Sequence, residues 1–131
     1  MSAWGFRPFE NDAAADWALE CARQADVAFV EATLDQMLAA DDDLDADDAE
    51  EGIAAAATVA RLLGHRVEAA DPVSNWITRD RPDATPALAA KADEALDRVL
   101  AEPSELLELW AASDDYAEWQ DMMNGLKALL K

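Results

Sequence analysis

Residues 52–64 read GIAAAATVARLLG, an unbroken run of helix-forming residues that ends at a glycine. Its larger and smaller apolar side chains recur at intervals of three and four residues, which is the period of one helix face. These positions are Ile53, Ala56, Ala57, Ala60 and Leu63. Gly64 is expected just beyond the last turn, where a left-handed residue ends a helix. A face made mostly of alanine lets neighbouring helices approach closely, so we expect this helix near the centre of the fold.

The composition extends the helical prediction to the whole chain. Of the 131 residues, 52% are apolar and 31 are alanine, the strongest helix former, whereas Val, Ile and Thr together number 12. Apolar stripes with helical spacing recur on both sides of residues 52–64 and reach the end of the chain. No linker is long enough to mark a second domain. We therefore predict an all-α fold, one compact bundle of six or seven helices in a single domain over residues 1–131.

Capping residues indicate where the helices begin, because short polar side chains satisfy free backbone N–H groups. Proline in the first turn adds to this signal. The predicted starts are Asn11 or Asp12, Asp26, a capping box of Asp47 with Glu50, Asp71-Pro72, Thr85-Pro86, and Asp115 with Glu118. On the helix that follows Thr85, we expect Glu94 and Arg98 to pair one turn apart.

The first ten residues, MSAWGFRPFE, predict an extended aromatic arm rather than a helix, since Gly5 and Pro8 interrupt them. We expect the aromatic side chains of Trp4, Phe6 and Phe9 to dock the arm onto the helices.

Charge is the second strong feature of the chain, whose formal net charge is −19. Such acidity disfavours nucleic acid and anionic membrane surfaces as partners, because both attract clustered Lys and Arg. Residues 41–51, DDDLDADDAEE, hold eight of the 29 acidic side chains and predict an exposed, solvated loop. Its aspartates are the candidate interaction residues: Asp41, Asp42, Asp43, Asp45, Asp47 and Asp48. Two explanations of this charge remain open. It can serve only to keep the protein in solution, or it can attract a basic protein partner.

The same acidic run has part of the residue spacing of a calcium-binding loop. Asp41, Asp43 and Asp45 fit the first, third and fifth positions of an EF-hand, but Ala46 and Gly52 stand where glycine and a bidentate glutamate are required. The pattern therefore excludes an EF-hand, and leaves weaker binding of a divalent cation as an alternative. No metal or cofactor site is predicted.

Residues with catalytic chemistry are sparse. His65 is the single histidine, expected at the surface beside a helix end, and Cys21 is the single cysteine, expected to be a buried thiol. One cysteine excludes an internal disulfide and fits a reducing cytosol, and the start lacks a signal peptide, so a cytoplasmic location is expected. No apolar run is long enough for a membrane span. The sequence therefore leans away from an enzyme, with Trp17 and Trp76 as candidates to line a helical groove.

The opening residues nevertheless carry a distinctive pattern. Trp4-Gly5, then Pro8-Phe9-Glu10-Asn11-Asp12, then Ala15-Asp16-Trp17 resembles the beginning of a bacterial family catalogued as domain of unknown function 4259. The alanine-rich helix of residues 52–64, the segment around Ser104–Trp110 and Glu118-Trp119 are also similar. Arg7 departs from the pattern, in which a small residue is expected. The resemblance implies no activity, cofactor or partner.

Three functions remain open from the sequence. The preferred one is a non-enzymatic protein-interaction domain, immunity-like or antitoxin-like, whose acidic face meets a basic protein. The second is a small-molecule binder or carboxylate-using enzyme with a groove at Trp17 or Trp76, and the third is a divalent-cation-responsive protein acting through Asp41–Asp48. Either a monomer or a homodimer is expected, since an alanine-rich helix with few large neighbours can need a second copy to complete its core.

Overall fold

The computed structural model describes residues 3–40 and 42–131, which form seven α-helices and no strand. The helices are α1 (Asp12–Gln24), α2 (Val27–Leu38), α3 (Ala46–Leu62), α4 (Asp71–Asp80), α5 (Pro86–Val99), α6 (Glu105–Ala111) and α7 (Tyr116–Leu129). The prediction of an all-α bundle of six or seven helices is confirmed. None of these helices combines the length and apolar content that crossing a membrane requires.

Helix α3 lies at the centre of the bundle and is packed against α1, α2, α5, α6 and α7. Twelve of its 17 residues are buried, and the four alanines from Ala54 to Ala57 are completely inaccessible. Alanine suits this position because its short side chain lets five neighbouring helices approach the same axis. Gly64, directly after the cap residue Leu63, has a φ of 96° and ends the helix as predicted. The alanine face is thus covered by helices of the same chain.

Gly52 sets the distance between α3 and α2. A Cβ atom placed on Gly52 would lie 2.3 Å from the Sδ atom of Met37, a side chain of α2 that is 2% exposed. Since carbon and sulfur do not approach this closely without overlap, any side chain at residue 52 must displace Met37 or push the helices apart.

Gly52→Ala is expected to lower the free energy of unfolding by about 1–3 kcal/mol, because overpacking outweighs alanine's better helix propensity. Gly125→Ala is the matched control, since Gly125 is a helical glycine of α7 whose Cβ would meet no atom within 4 Å. It should raise the free energy of unfolding by about 0.5–1 kcal/mol. Urea unfolding of both variants measures the contrast, and a Gly52→Ala protein as stable as Gly125→Ala would refute the close contact.

Most predicted helix starts are confirmed. The side chains of Asn11, Asp26 and Thr85 accept hydrogen bonds from the backbone N–H groups of Ala14, Ala28 and Leu88. Asp115 is the residue before α7, although its side chain makes no capping bond.

Two predicted starts are displaced. α3 begins one residue after Asp45, which accepts the capping bond from the Asp47 N–H, so the predicted box of Asp47 with Glu50 is wrong. α4 begins at Asp71 itself, with Ala70 before it and no side-chain cap. Before α3, several aspartates stand close together, so the sequence alone does not single out the one that caps the helix.

The predicted pair of Glu94 with Arg98 does not form. The Arg98 guanidinium instead donates to the carbonyl oxygens of Ala101, at 3.0 Å, and Asp42, at 2.8 Å. It thereby joins the end of α5 to the segment that precedes α3. An exposed ion pair contributes little, and carbonyls without a helical partner can accept from this side chain.

Two lysines bridge neighbouring helices instead. Lys91 of α5 contacts Glu31 at 2.8 Å and Asp35 at 2.7 Å on α2. Lys127 of α7 contacts two carboxylates of α5, those of Asp93, at 3.0 Å, and Asp97. Each lysine therefore relieves repulsion between two acids one turn apart, and much of the acidic surface of α2 and α5 has a structural role.

The N-terminal arm, residues 3–10, is not a helix, as predicted, but the prediction of an extended segment is wrong, because the arm folds into a closed loop. Ala3 pairs with Asn11 in an isolated bridge, and the Trp4 N–H donates to the Glu10 carbonyl at 2.9 Å. Phe6 and Phe9 pack on the core as predicted, but Trp4 is 61% exposed, so its predicted docking is wrong. Neighbouring residues of an extended segment point to opposite sides, and here Ala3 faces the core.

The single cysteine is buried, as predicted. Cys21 lies on the core face of α1 with no solvent exposure, and burial raises the pKa of its thiol to about 12. The thiol therefore stays protonated and serves as a small apolar side chain.

Candidate functional site: an acidic groove and a buried carboxyl

The acidic segment is more structured than a solvated loop. Asp41 lies outside the described residues, Asp42, Asp43, Asp45 and Asp47 are exposed, and Asp48 is half-buried. Leu44 interrupts the acids and is completely buried. Its N–H donates to the Pro103 carbonyl at 3.1 Å and its own carbonyl accepts from the Glu105 N–H at 3.0 Å. The segment is thereby fastened to the start of α6, which holds its aspartates in place at the surface.

From Ala46 onward the acids belong to the first turns of α3. Asp45 caps the helix, and the Ala46 N–H donates to the Glu105 carboxylate at 3.2 Å. Carboxylates are favoured at this end because the helix dipole is positive there. Their number nevertheless exceeds what capping needs: burial, followed by repulsion from Asp45 and Asp47, raises the pKa of Asp48.

A groove of about 440 Å³ joins this end of α3 to α1. Trp17 and Phe29 form its aromatic floor. The carboxylates along its lining are Asp16, Glu20, Asp47 and Glu51. The structure therefore brings together Trp17, one of the two tryptophans expected to line a groove, and Asp47, one of the predicted interaction residues.

The floor of this groove is held rigidly. The Trp17 indole N–H donates to the Thr33 hydroxyl at 2.8 Å, and its ring stacks on Phe29 with centroids 5.7 Å apart. Trp17 is 5% exposed, so the groove meets the edge of a fixed ring rather than a mobile side chain.

Two of the groove carboxylates differ in their environment. Glu20 is paired with Arg23 and accepts a further bond from Gln24, and the bond from Arg23 is the main cause that lowers its pKa. Burial, then repulsion from neighbouring aspartates of α3, raises the pKa of Glu51. Among the described residues, no Lys or Arg forms an ion pair with Asp47 or Glu51 on the α3 side of the groove, or with Asp16 on the α1 side.

The other predicted groove residue lies elsewhere. Trp76 is 2% exposed in the core face of α4 and is not part of the lining at Trp17. Over residues 3–40 and 42–131, no three His, Cys, Asp or Glu side chains come together in a way that could hold a metal ion.

A second feature was missed by the sequence analysis, the carboxyl group of Glu50. It lies on α3, 3% exposed, and its Oε2 atom has no hydrogen-bond partner among the described residues. Burial, followed by repulsion from Asp47, raises its pKa from the ordinary 4.5 to about 7. Glu50 is three residues before Ile53, so the helical period of the buried face extended to it, but the surrounding acids suggested a solvated position.

Glu50 faces a cavity of about 10 Å³ beneath the N-terminal arm. The arm supplies the outer wall, with Phe6 and Pro8, and the helices α3, α6 and α7 supply the rest. Trp110 and Trp119 form the aromatic part of the lining, stacked with centroids 6.0 Å apart and planes inclined by 11°. A carboxyl group, two large aromatic rings and the inner side of the arm thus meet at one place.

Comparison with known proteins agrees with the resemblance seen at the N-terminus. Residues 2–122 match the model of a family described as a domain of unknown function (DUF4259). No curated protein and no solved structure matches the chain.

Proposed function

The chain belongs to the DUF4259 family, and we propose that it is a non-enzymatic acidic protein-interaction domain, whose groove between α1 and α3 receives basic side chains of a protein partner. The observation that carries this proposal is the meeting of an aromatic floor, Trp17 and Phe29, with carboxylates on two helices. The half-buried Phe29 ring favours arginine, whose planar guanidinium stacks on rings while it pairs with carboxylates.

The charge of the whole chain supports the same partner. With a net charge of −19, the domain attracts basic surfaces over long range and repels acidic ones. The exposed Asp42, Asp43 and Asp45 extend the negative surface beyond the groove. Charge of this kind mainly accelerates association and selects the partner, while the groove fixes the contact.

The biological role that we propose for this interaction is an immunity-like or antitoxin-like one, in the cytoplasm. Proteins that act on nucleic acid carry clustered Lys and Arg, since phosphate contacts require them. An acidic domain that covers such a cluster would block access of the nucleic acid. The expected partner is therefore a basic protein with exposed arginines.

The groove is tested with an oligoarginine peptide and an oligolysine peptide of the same length, by calorimetric titration. The double variant Asp47→Asn/Glu51→Gln should bind oligoarginine about 5- to 30-fold more weakly than the wild type, since each close charge pair contributes on the order of 0.5–1 kcal/mol. Wild-type binding should favour arginine over lysine and should be nearly lost at about 1 M salt, where the screening length is about 3 Å.

The control is Asp114→Asn/Asp121→Asn, which removes two exposed carboxylates near or on α7, away from the groove. Both double variants change the net charge equally. If they weaken binding equally, the peptide responds to net charge alone and the groove is not the site.

A further inference from the structure

The cavity beneath the arm contains a polar group whose burial requires an explanation. Buried polar atoms are nearly always hydrogen-bonded, because an unpaired one costs free energy. Glu50 is 3% exposed with an unpaired Oε2, whereas the other carboxylates of the acidic segment that the structure describes reach solvent. An apolar residue of similar size would fill the same place without this cost. The carboxyl group therefore points to a partner that enters the cavity.

The arm that closes the cavity is built as a separate unit. Two of its backbone hydrogen bonds, Trp4 to Glu10 and Glu10 to Arg7, lie within the arm, and its contacts with Asn11 are made at the start of α1, through the bridge to Ala3 and a side-chain bond to the Pro8 carbonyl at 3.5 Å. The Glu10 carboxylate folds back over Gly5 and accepts from the Arg7 N–H at 3.2 Å. The arm can consequently move outward about the start of α1 without losing its internal bonds.

Few contacts hold the arm against the helices. Arg7 forms one ion pair with Glu68, at 3.2 Å, between side chains that are 57% and 76% exposed. Exposed pairs of this kind contribute little to stability. Phe6 and Phe9 are half-buried against the core, with the Phe9 ring 6.4 Å from that of Trp17. Opening the arm therefore costs mainly the apolar contacts of these two rings.

We propose that the arm covers a binding site for a small organic ammonium ion, whose charge pairs with the Glu50 carboxylate and whose methylene groups pack against Trp110 and Trp119. The carboxylate selects a cation over an anion or a neutral molecule. The two rings, already stacked on each other, add a large apolar surface for the methylene groups. Leu106 and Met122 add to the apolar lining. Arg7 also lines the cavity, but it belongs to the arm and its exposed guanidinium pairs with Glu68.

The size of the cavity dictates how the ligand enters. A volume of about 10 Å³ accommodates one water molecule, so an alkylammonium ion fits after the arm has moved outward. The arm then acts as a lid. Because the ligand binds only while the arm is open, the apparent affinity is the affinity of the open form multiplied by the fraction of protein that is open. This site shares no lining residue with the groove at Trp17 and stands independently of the proposed function.

The probe is n-butylammonium chloride, added through the millimolar range at neutral pH and constant ionic strength. Binding is followed by the NMR resonances of the indole N–H groups, of which those of Trp110 and Trp119 should shift. n-Butanol, which has the same chain without the charge, should bind at least tenfold more weakly. Glu50→Gln should also weaken n-butylammonium binding at least tenfold, since a charge-assisted hydrogen bond in a buried site is lost.

A control variant separates this site from general attraction of cations. Glu94→Gln removes an exposed carboxylate of α5 that does not line the cavity, and it should bind n-butylammonium as the wild type does. The amide spectrum of Glu50→Gln shows directly whether that variant is folded. The proposal is overturned if no shift occurs in the millimolar range, if n-butanol binds equally well, or if folded Glu50→Gln binds with unchanged affinity.

Discussion

Trp119→Ala is expected to lower the free energy of unfolding by about 3–5 kcal/mol, a large part of the stability of a domain of this size. Trp119 is 1% exposed and lies where α6 and α7 meet α3. Its ring stacks on Trp110 and on Tyr116, whose centroid is 6.3 Å away. Truncation leaves a cavity that these rings cannot fill by small movements, and it also removes the stacking contacts.

The control for this prediction is Trp4→Ala. Trp4 is 61% exposed in the arm, so its removal should change the free energy of unfolding by no more than about 0.5 kcal/mol. Urea denaturation followed by circular dichroism measures both variants without depending on tryptophan fluorescence. Similar losses for the two variants would contradict the assignment of Trp119 to the core and Trp4 to the surface.

The helices were predictable because local rules decide them. The spacing of apolar residues predicts the position of α3, and Gly64 predicts its end. Each of these signals depends only on residues a few positions apart along the chain. The partners of charged side chains were not predictable in the same way. Arg98 and Lys91 make their contacts with segments about 60 positions away, so the arrangement of helices had to be known first.

The candidate site, too, depends partly on local sequence and partly on how the helices pack. Trp17 and Asp47 were each identified in the sequence for a separate reason, aromatic character and acidity. That they line one groove follows from the packing of α1 against α3, which no local pattern specifies. Glu50 was overlooked for the opposite reason: its neighbours are acidic and exposed, whereas its own position faces the core. Trp76 is the second groove candidate of the sequence, but its side of α4 is buried.

Ionisation of Glu50 is expected to make the free energy of unfolding depend on pH. Burial, then repulsion from Asp47, raises the pKa of this carboxyl from 4.5 to about 7, so folding favours its protonated form. Its contribution to stability is therefore fully present below pH 4.5 and is lost as pH rises to about 7. At 1.36 kcal/mol per pKa unit, the loss is about 3 kcal/mol, and the free energy of unfolding should not fall further on account of Glu50 above that pH.

Glu50→Gln isolates this effect because glutamine has nearly the same shape as protonated glutamate and no charge to lose. The variant should be more stable than the wild type above pH 7, and the difference should vanish or reverse near pH 4.5. Other acids with raised pKa values, Asp48 and Glu51, remain in both proteins and cancel in the comparison. Glu94→Gln, which removes an exposed carboxylate, should follow the wild-type curve. Urea unfolding across this pH range supplies the test, and a Glu50→Gln protein less stable than the wild type above pH 7 would mean that the ionised carboxylate has a stabilising partner.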